Sequence, residues 1–171
     1  QVKAVHLDKT SPELRKRNRI KTIKASLEIE GNSLSKDQIN AIINQKRVVG
    51  SEKDIKEVVN AIKVYNHLKL FNASEQASFL QAHKMLMEGL VERPGAFRRK
   101  AVGIFKGSQV SHIAPPAKRI SDLMADLFHY LKSSNDHVLI KSSVVHYEIE
   151  FIHPFMDGNG RMGRLWQTLV L

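Results

Sequence analysis

The chain has no cysteine among its 171 residues, which excludes disulfide bridges and thiolate metal sites and leaves nothing pointing to an oxidising compartment. It also lacks any apolar run long enough to cross a bilayer, and its first residues, with Lys3, His6 and Asp8, do not form a secretory signal. A soluble, cytoplasmic protein with no membrane partner is the expectation. Internal repeats and low-complexity tracts are missing too. Three familiar motifs are absent: no Gly-Lys-Ser/Thr completes a Walker A loop, no dinucleotide fingerprint follows a strand, and no His-Glu-x-x-His occurs.

What is present is 42% hydrophobic residues, enough for one sizeable core and too few for two comfortable domains, so a single domain over residues 1–171 is expected. The formal charge is +10, and much of it is crowded into Arg15, Lys16, Arg17, Arg19, Lys21 and Lys24. No aromatics interleave with that run to make a stacking platform. A solvated helix face accounts for it better than a nucleic acid does.

Most of the chain carries helical spacing. Pro12 suits a first helical turn, and Leu14, Ile20, Ile23 and Leu27 follow before Gly31-Asn32 stops the helix. Ser35 with Gln38 forms a capping box ahead of Ile39, Ile42 and Ile43. Ser51 caps a third helix running through Ile55, Val58, Val59, Ile62 and Leu68. Ser74 is expected to start a fourth, with Phe79, Leu80, His83, Leu86 and Met87 on its apolar face. Residues 101–113 break the pattern around Lys106-Gly107-Ser108 and predict a short hairpin. Pro115-Pro116 then opens a helix bearing Ile120, Leu123, Met124, Leu127 and Leu131, and another runs from Val138 to Ile152. The fold class is all-α with one hairpin.

The chemistry concentrates in His153-Pro154-Phe155-Met156-Asp157-Gly158-Asn159-Gly160-Arg161-Met162-Gly163-Arg164. Pro154 should break the helix and leave the His153 imidazole at the mouth of a loop. The two glycines of Gly158-Asn159-Gly160 allow close approach and lead into a helix whose first N–H groups would hold phosphates. Arg161 and Arg164, three residues apart, are expected to clamp a polyphosphate with forked hydrogen bonds. Asp157 offers a hard oxygen for Mg²⁺. Together these describe nucleotidyl or phosphoryl transfer with His153 as general base. His146, with Glu148 and Glu150 between it and His153, lacks the usual metal spacing and is expected to pack in the core.

This run resembles the signature of Fic proteins, His-x-Phe-x-(Asp/Glu)-Gly-Asn-Gly-Arg-x-x-Arg, at every specified position. The similarity extends through His146-Tyr147-Glu148 and Pro94-Gly95-Ala96-Phe97-Arg98 and covers most of the chain. It implies a Fic-type helical core and a protein adenylyltransferase, a nucleotidyltransferase that moves AMP from ATP to a Ser, Thr or Tyr hydroxyl of a target protein. By the resemblance His153 is the base, Asp157 the Mg²⁺ ligand, Gly158 to Gly160 the anion hole, Arg161 and Arg164 the clamps, and Phe155 a core anchor. The hairpin at 101–113 becomes a flap, in which Val110, Ser111, His112 and Ile113 would dock the target by strand addition.

A second resemblance links Ser26-Leu27-Glu28-Ile29-Glu30-Gly31-Asn32 to the family's inhibitory pattern (Ser/Thr)-x-x-x-Glu-(Gly/Asn). It implies that residues 12–32 form an inhibitory helix, with Ser26, Glu30, Gly31 and Asn32 as its key positions and Glu30 competing in cis for Arg164. The ending on Leu169-Val170-Leu171, with no stop signal, suggests a fragment truncated after the loop of residues 153–164. Alternatives within the class are removal of AMP and transfer of another phosphate-containing group. A basic nucleic-acid-binding module ranks behind both, and a homodimer is left open.

Overall fold

The first three helices of this chain begin at serine caps. The structure, a computed structural model, describes residues 11–106 and 109–171 and, between 103 and 112, the backbone alone. It divides into two compact units, residues 1–62 and residues 63–171.

The first unit begins with α1 (Pro12–Glu28), where Ser11 Oγ accepts the Leu14 N–H at 3.1 Å ahead of a proline in the first turn. The helix ends in paired bonds from Asn32 N–H to Leu27 C=O (3.1 Å) and from Gly31 N–H to Glu28 C=O (3.0 Å), with Gly31 at φ 89°. That Schellman arrangement needs the left-handed residue that glycine supplies. Arg15, Lys16, Arg17, Arg19 and Lys21 are exposed, the solvated face expected of them.

The next helix, α2 (Lys36–Ile43), carries the expected capping box between Ser35 and Gln38. It is followed by α3 (Glu52–Asn66), where Ser51 Oγ accepts the Asp54 N–H at 3.0 Å. Ile23, Leu27, Leu34 and Ile39, each at most 2% exposed, fill the core of this unit.

The second unit holds α4 (Gln76–Met87), the hairpin β1 (Gly103–Lys106) and β2 (Gln109–Ile113), α5 (Ile120–Ser133), α6 (Val138–Ile152) and α7 (Asn159–Val170). The architecture is all-α with a minor hairpin, as expected. Ser74 does not cap α4. Its N–H donates instead to Asn72 Oδ1 (3.0 Å), Asn72 Nδ2 donates to Glu75 Oε1 (2.9 Å), and the N-cap is Glu75 with no side-chain bond. An asparagine turn has taken over the serine's role. After Pro115-Pro116 the chain first makes a 3₁₀ turn, Ala117–Arg119, and only then enters α5.

The two strands pair antiparallel, Gly103 opposite Ile113 and Ile104 opposite His112, then slip by one residue so that Phe105 faces Val110. A bulge of this kind strengthens the local twist. The turn expected at Gly107-Ser108 lies outside the described residues.

Phe79, fully buried, centres the core, with ring centroids at 5.0 Å from Trp166, 5.3 Å from Phe155 and 5.6 Å from Phe128. Burying each such ring stabilises the fold by roughly 1.5–3 kcal/mol. The Trp166 indole N–H donates to Ala73 C=O at 3.0 Å, which satisfies its polar edge. Helices α6 and α7 approach closely at Gly163: a Cβ there would stand 2.8 Å from Glu150 Oε1 and 3.2 Å from His146 Nδ1. His146 thus packs at the α6–α7 seam.

Candidate active site

Helix α6 runs without interruption to Ile152 and stops because residue 154 is proline. His153 is its C-cap, in the left-handed conformation at φ 51°, ψ 59°, with its N–H still bonded to Ile149 C=O at 3.0 Å. A non-glycine residue there carries strain of about 1–2 kcal/mol, so its neighbours must hold it.

Arg98 is the main holder. Its Nε donates to His153 C=O (2.7 Å) and its Nη2 to Ile152 C=O (3.3 Å) and Pro115 C=O (2.6 Å), while Nη1 reaches Lys100 C=O (2.8 Å). Its own N–H bonds Pro154 C=O at 2.8 Å. The side chain is 3% exposed, and burial lowers its pKa from the ordinary arginine value. A cation at a helix C-terminus complements the carbonyl end of the macrodipole. One guanidinium therefore ties the end of α6 to the segment that leaves β2.

The loop after Pro154 turns inward. Phe155 is fully buried, the core anchor expected, and lies flat on the His83 ring at 3.5 Å and 5°. Asn159 clasps it from the other end, Oδ1 accepting the Phe155 N–H (2.8 Å) and Nδ2 donating to Phe155 C=O (2.9 Å). The Asn159 side chain is 2% exposed and occupied in this clasp, so only its backbone N–H can meet an anion. The anion-hole expectation for Asn159 concerns that amide.

Asp157 is exposed, with its side chain at 55%. Its Oδ1 accepts the Gly158 N–H at 2.6 Å and Arg161 Nη2 at 3.1 Å. Gly158 stands at φ 86° as N-cap of α7, with no side chain to cap it, and the first ladder bond runs from Met162 N–H to Gly158 C=O. The amides of Asn159 and Gly160 precede that bond, at the positive end of the helix. A Cβ on Gly158 would meet Met87 Sδ at 2.7 Å.

The two arginines differ in their surroundings. Arg161 is 4% exposed and bound to Asp157, because its position on α7 faces the core; Arg164, one turn on, is half-buried. A cavity of about 240 Å³ opens beside Asp157, lined by His83, Val91, Phe97, Arg99 and Met156 among others.

His83 is the residue that sequence reasoning read only as part of an apolar helix face. It is 1% exposed, its Nδ1 accepts the Gly95 N–H at 2.8 Å, and its Nε2 lies 3.0 Å from Asp157 C=O. Burial lowers its pKa to about 4. A histidine embedded in an apolar stripe, a spacing that otherwise fits core packing, was its only signal.

Of the inhibitory positions, Ser26 is buried, and Asn32 donates to Asp54 C=O (3.1 Å) and Glu57 Oε2 (2.9 Å) while accepting the Leu34 N–H (3.1 Å). Asn32 thus pins the α1–α2 turn, and Gly31 closes the helix. Glu30 is exposed just beyond α1. Of the hairpin positions, Ile113 is 77% exposed, and the side chains of Val110, Ser111 and His112 lie outside the described residues. Among the described residues no three His, Asp or Glu side chains gather into a metal site, and no helix is long and apolar enough to cross a membrane.

The sequence profile of the Fic/DOC family matches residues 74–171. The chain is 30% identical over 165 residues to a protein adenylyltransferase Fic of Culex quinquefasciatus, covering 89% of this chain and 32% of that protein. A probable protein adenylyltransferase of Aquifex aeolicus is 30% identical over 150 residues, covering 85% of this chain and 45% of its own. The chain spans about a third of the length of the insect relatives it matches. Among solved structures, a Fic family protein from Desulfovibrio desulfuricans G20 is 52% identical with a TM-score of 0.89, over 94% of this chain and 49% of that one. Fic-1 of C. elegans, 23% identical with a TM-score of 0.82 over 97% of this chain and 52% of that one, shares the fold.

Proposed function

Because the chain belongs to the Fic/DOC family, we propose that it transfers AMP from ATP to a Ser, Thr or Tyr hydroxyl of a protein, with His153 as general base. The observation that carries this reading lies within residues 153–164, where an imidazole at a helix end, a carboxylate and a helix N-terminus without a side-chain cap adjoin one another. The target hydroxyl oxygen attacks the α-phosphorus while His153 takes its proton. The bond from that phosphorus to the α–β bridging oxygen breaks, and pyrophosphate leaves. The Asn159 and Gly160 amides face the negative charge on the α-phosphate oxygens.

Arg164, half-buried, is the arginine suited to the terminal phosphates. Arg161 orients Asp157 from the core side. The residues fit Mg²⁺: with Asp157 Oδ1 engaged by Gly158 and Arg161, the same carboxylate still offers Oδ2 as a hard ligand. Bound there, the metal would neutralise charge on phosphate oxygens. The hairpin is assigned to target docking through its strand edge.

Glu30 is assigned to inhibition in cis, holding Arg164 from the γ-phosphate. Support comes from the match of residues 26–32 to the family's inhibitory pattern and from the place of Glu30, exposed just beyond α1.

Incubation with α-labelled ATP tests both assignments. Protein-bound label should rise with Glu30→Gly and vanish when His153→Ala is added. Label from γ-labelled ATP in place of α-labelled ATP would replace AMP transfer by phosphate transfer. Label that survives His153→Ala would remove His153 as base, and no gain with Glu30→Gly would remove the inhibition alone.

A further inference from the structure

We infer that His83, on α4 and outside the motif, is a positioning residue for the motif loop: its imidazole locks the Asp157–Gly158 peptide plane and so aims the Asp157 carboxylate. The inference rests on the transfer reading for its consequence and on geometry alone for its first step.

The tautomer follows from the partners. The Gly95 N–H can only donate, so Nδ1, 2.8 Å away, must be the bare nitrogen. The ring proton then sits on Nε2 and is donated to Asp157 C=O at 3.0 Å. That carbonyl and the Gly158 N–H belong to one planar peptide group. Its other end donates to Asp157 Oδ1 at 2.6 Å. Rotating the plane would break both bonds together, so a fixed imidazole at one end fixes the carboxylate oxygen at the other.

The imidazole is itself fixed. It lies 3.5 Å from and nearly parallel to the Phe155 ring, which the Asn159 clasp holds in turn. The sequence of contacts Gly95, His83, Asp157, Gly158 thus joins a loop outside the motif to the proposed metal ligand. Outer partners that orient a ligating carboxylate typically change activity by about 10–100-fold when removed.

Two substitutions separate positioning from packing, because each keeps a different half of the imidazole. His83→Asn places an amide oxygen where Nδ1 stands, keeping the Gly95 bond and losing the donor to Asp157. His83→Gln reaches further and restores a donor to Asp157 C=O. Nitrogen-15 NMR of the imidazole in the unaltered chain should find the proton on Nε2, and a proton on Nδ1 overturns the inference. The Gly158 amide proton should keep its hydrogen-bonded shift in His83→Gln and lose it in His83→Asn; equal effects, or none, overturn the inference as well.

With α-labelled ATP in the Glu30→Gly background, His83→Asn should lower the rate at saturating ATP roughly 10–100-fold. The ATP concentration for half that rate should change little, and His83→Gln should return the rate to within a few-fold. A residue that only packs would lower both rates in step with melting temperature. If no form of the protein transfers label, the transfer reading fails, and the two NMR measurements still decide the role of His83.

Discussion

Replacing Arg98 should cost more stability than any surface change in the second unit, and the cost follows from its carbonyl partners. Arg98→Ala removes donors from His153, Lys100, Pro115 and Ile152 at a site 3% exposed. A hydrogen bond from a charged donor is worth about 1.5–3 kcal/mol, but the bonds share one side chain and water can enter the space left behind. A net loss of roughly 3–5 kcal/mol is therefore expected, against a total of about 5–15 kcal/mol for a typical domain. Arg98→Lys keeps the charge without the planar fork and should lose about 2 kcal/mol.

Urea titration followed by the fluorescence of Trp166, the single tryptophan, which is fully buried in the second unit, measures both losses. Although burial lowers the Arg98 pKa, a guanidinium stays protonated far above neutral pH, so the losses should be equal at pH 6 and pH 8. A loss under about 1 kcal/mol for Arg98→Ala, the range of ordinary surface changes, would refute the account, as would a lysine variant as stable as the original.

Two further outcomes follow from the same loop. The folded-state pKa of His83 lies near 4 against an ordinary 6.5, so the unfolded chain binds more protons between those values. Stability in metal-free buffer should therefore be full above about pH 6.5 and fall as pH drops toward 4, by up to about 3 kcal/mol, and denaturant midpoints should show this slope flattening in His83→Gln. Gly158→Ala should cost about 1–2 kcal/mol for its left-handed backbone, with more from the Met87 contact, and differential calorimetry should find its melting point lower; an unchanged melting point would contradict the φ of 86°.

Local chemistry was legible where neighbours in sequence make the structure. The capping box of Ser35 and Gln38, the Ser51 cap, the Gly31 stop and the span of α6 up to Pro154 all depend on bonds within a few residues. Ser74 shows the limit even at short range, since Asn72 competed for the same turn and won. Arg161 and Arg164 show another: spacing puts them on neighbouring faces of a helix, but only the packing of α7 decides that one is buried against Asp157.

The stretch of residues 153–164, its helix break, its glycines and its charged side chains were set by the order of residues, because φ limits, caps and proline geometry act locally. Which side chains hold that stretch in place was decided in three dimensions. His83 meets Asp157 across 74 residues, and Arg98 meets His153 across 55. Hydrogen bonds between such distant groups form only once α4, α6 and α7 have packed, and a one-dimensional pattern holds no record of which buried donor will face which carbonyl.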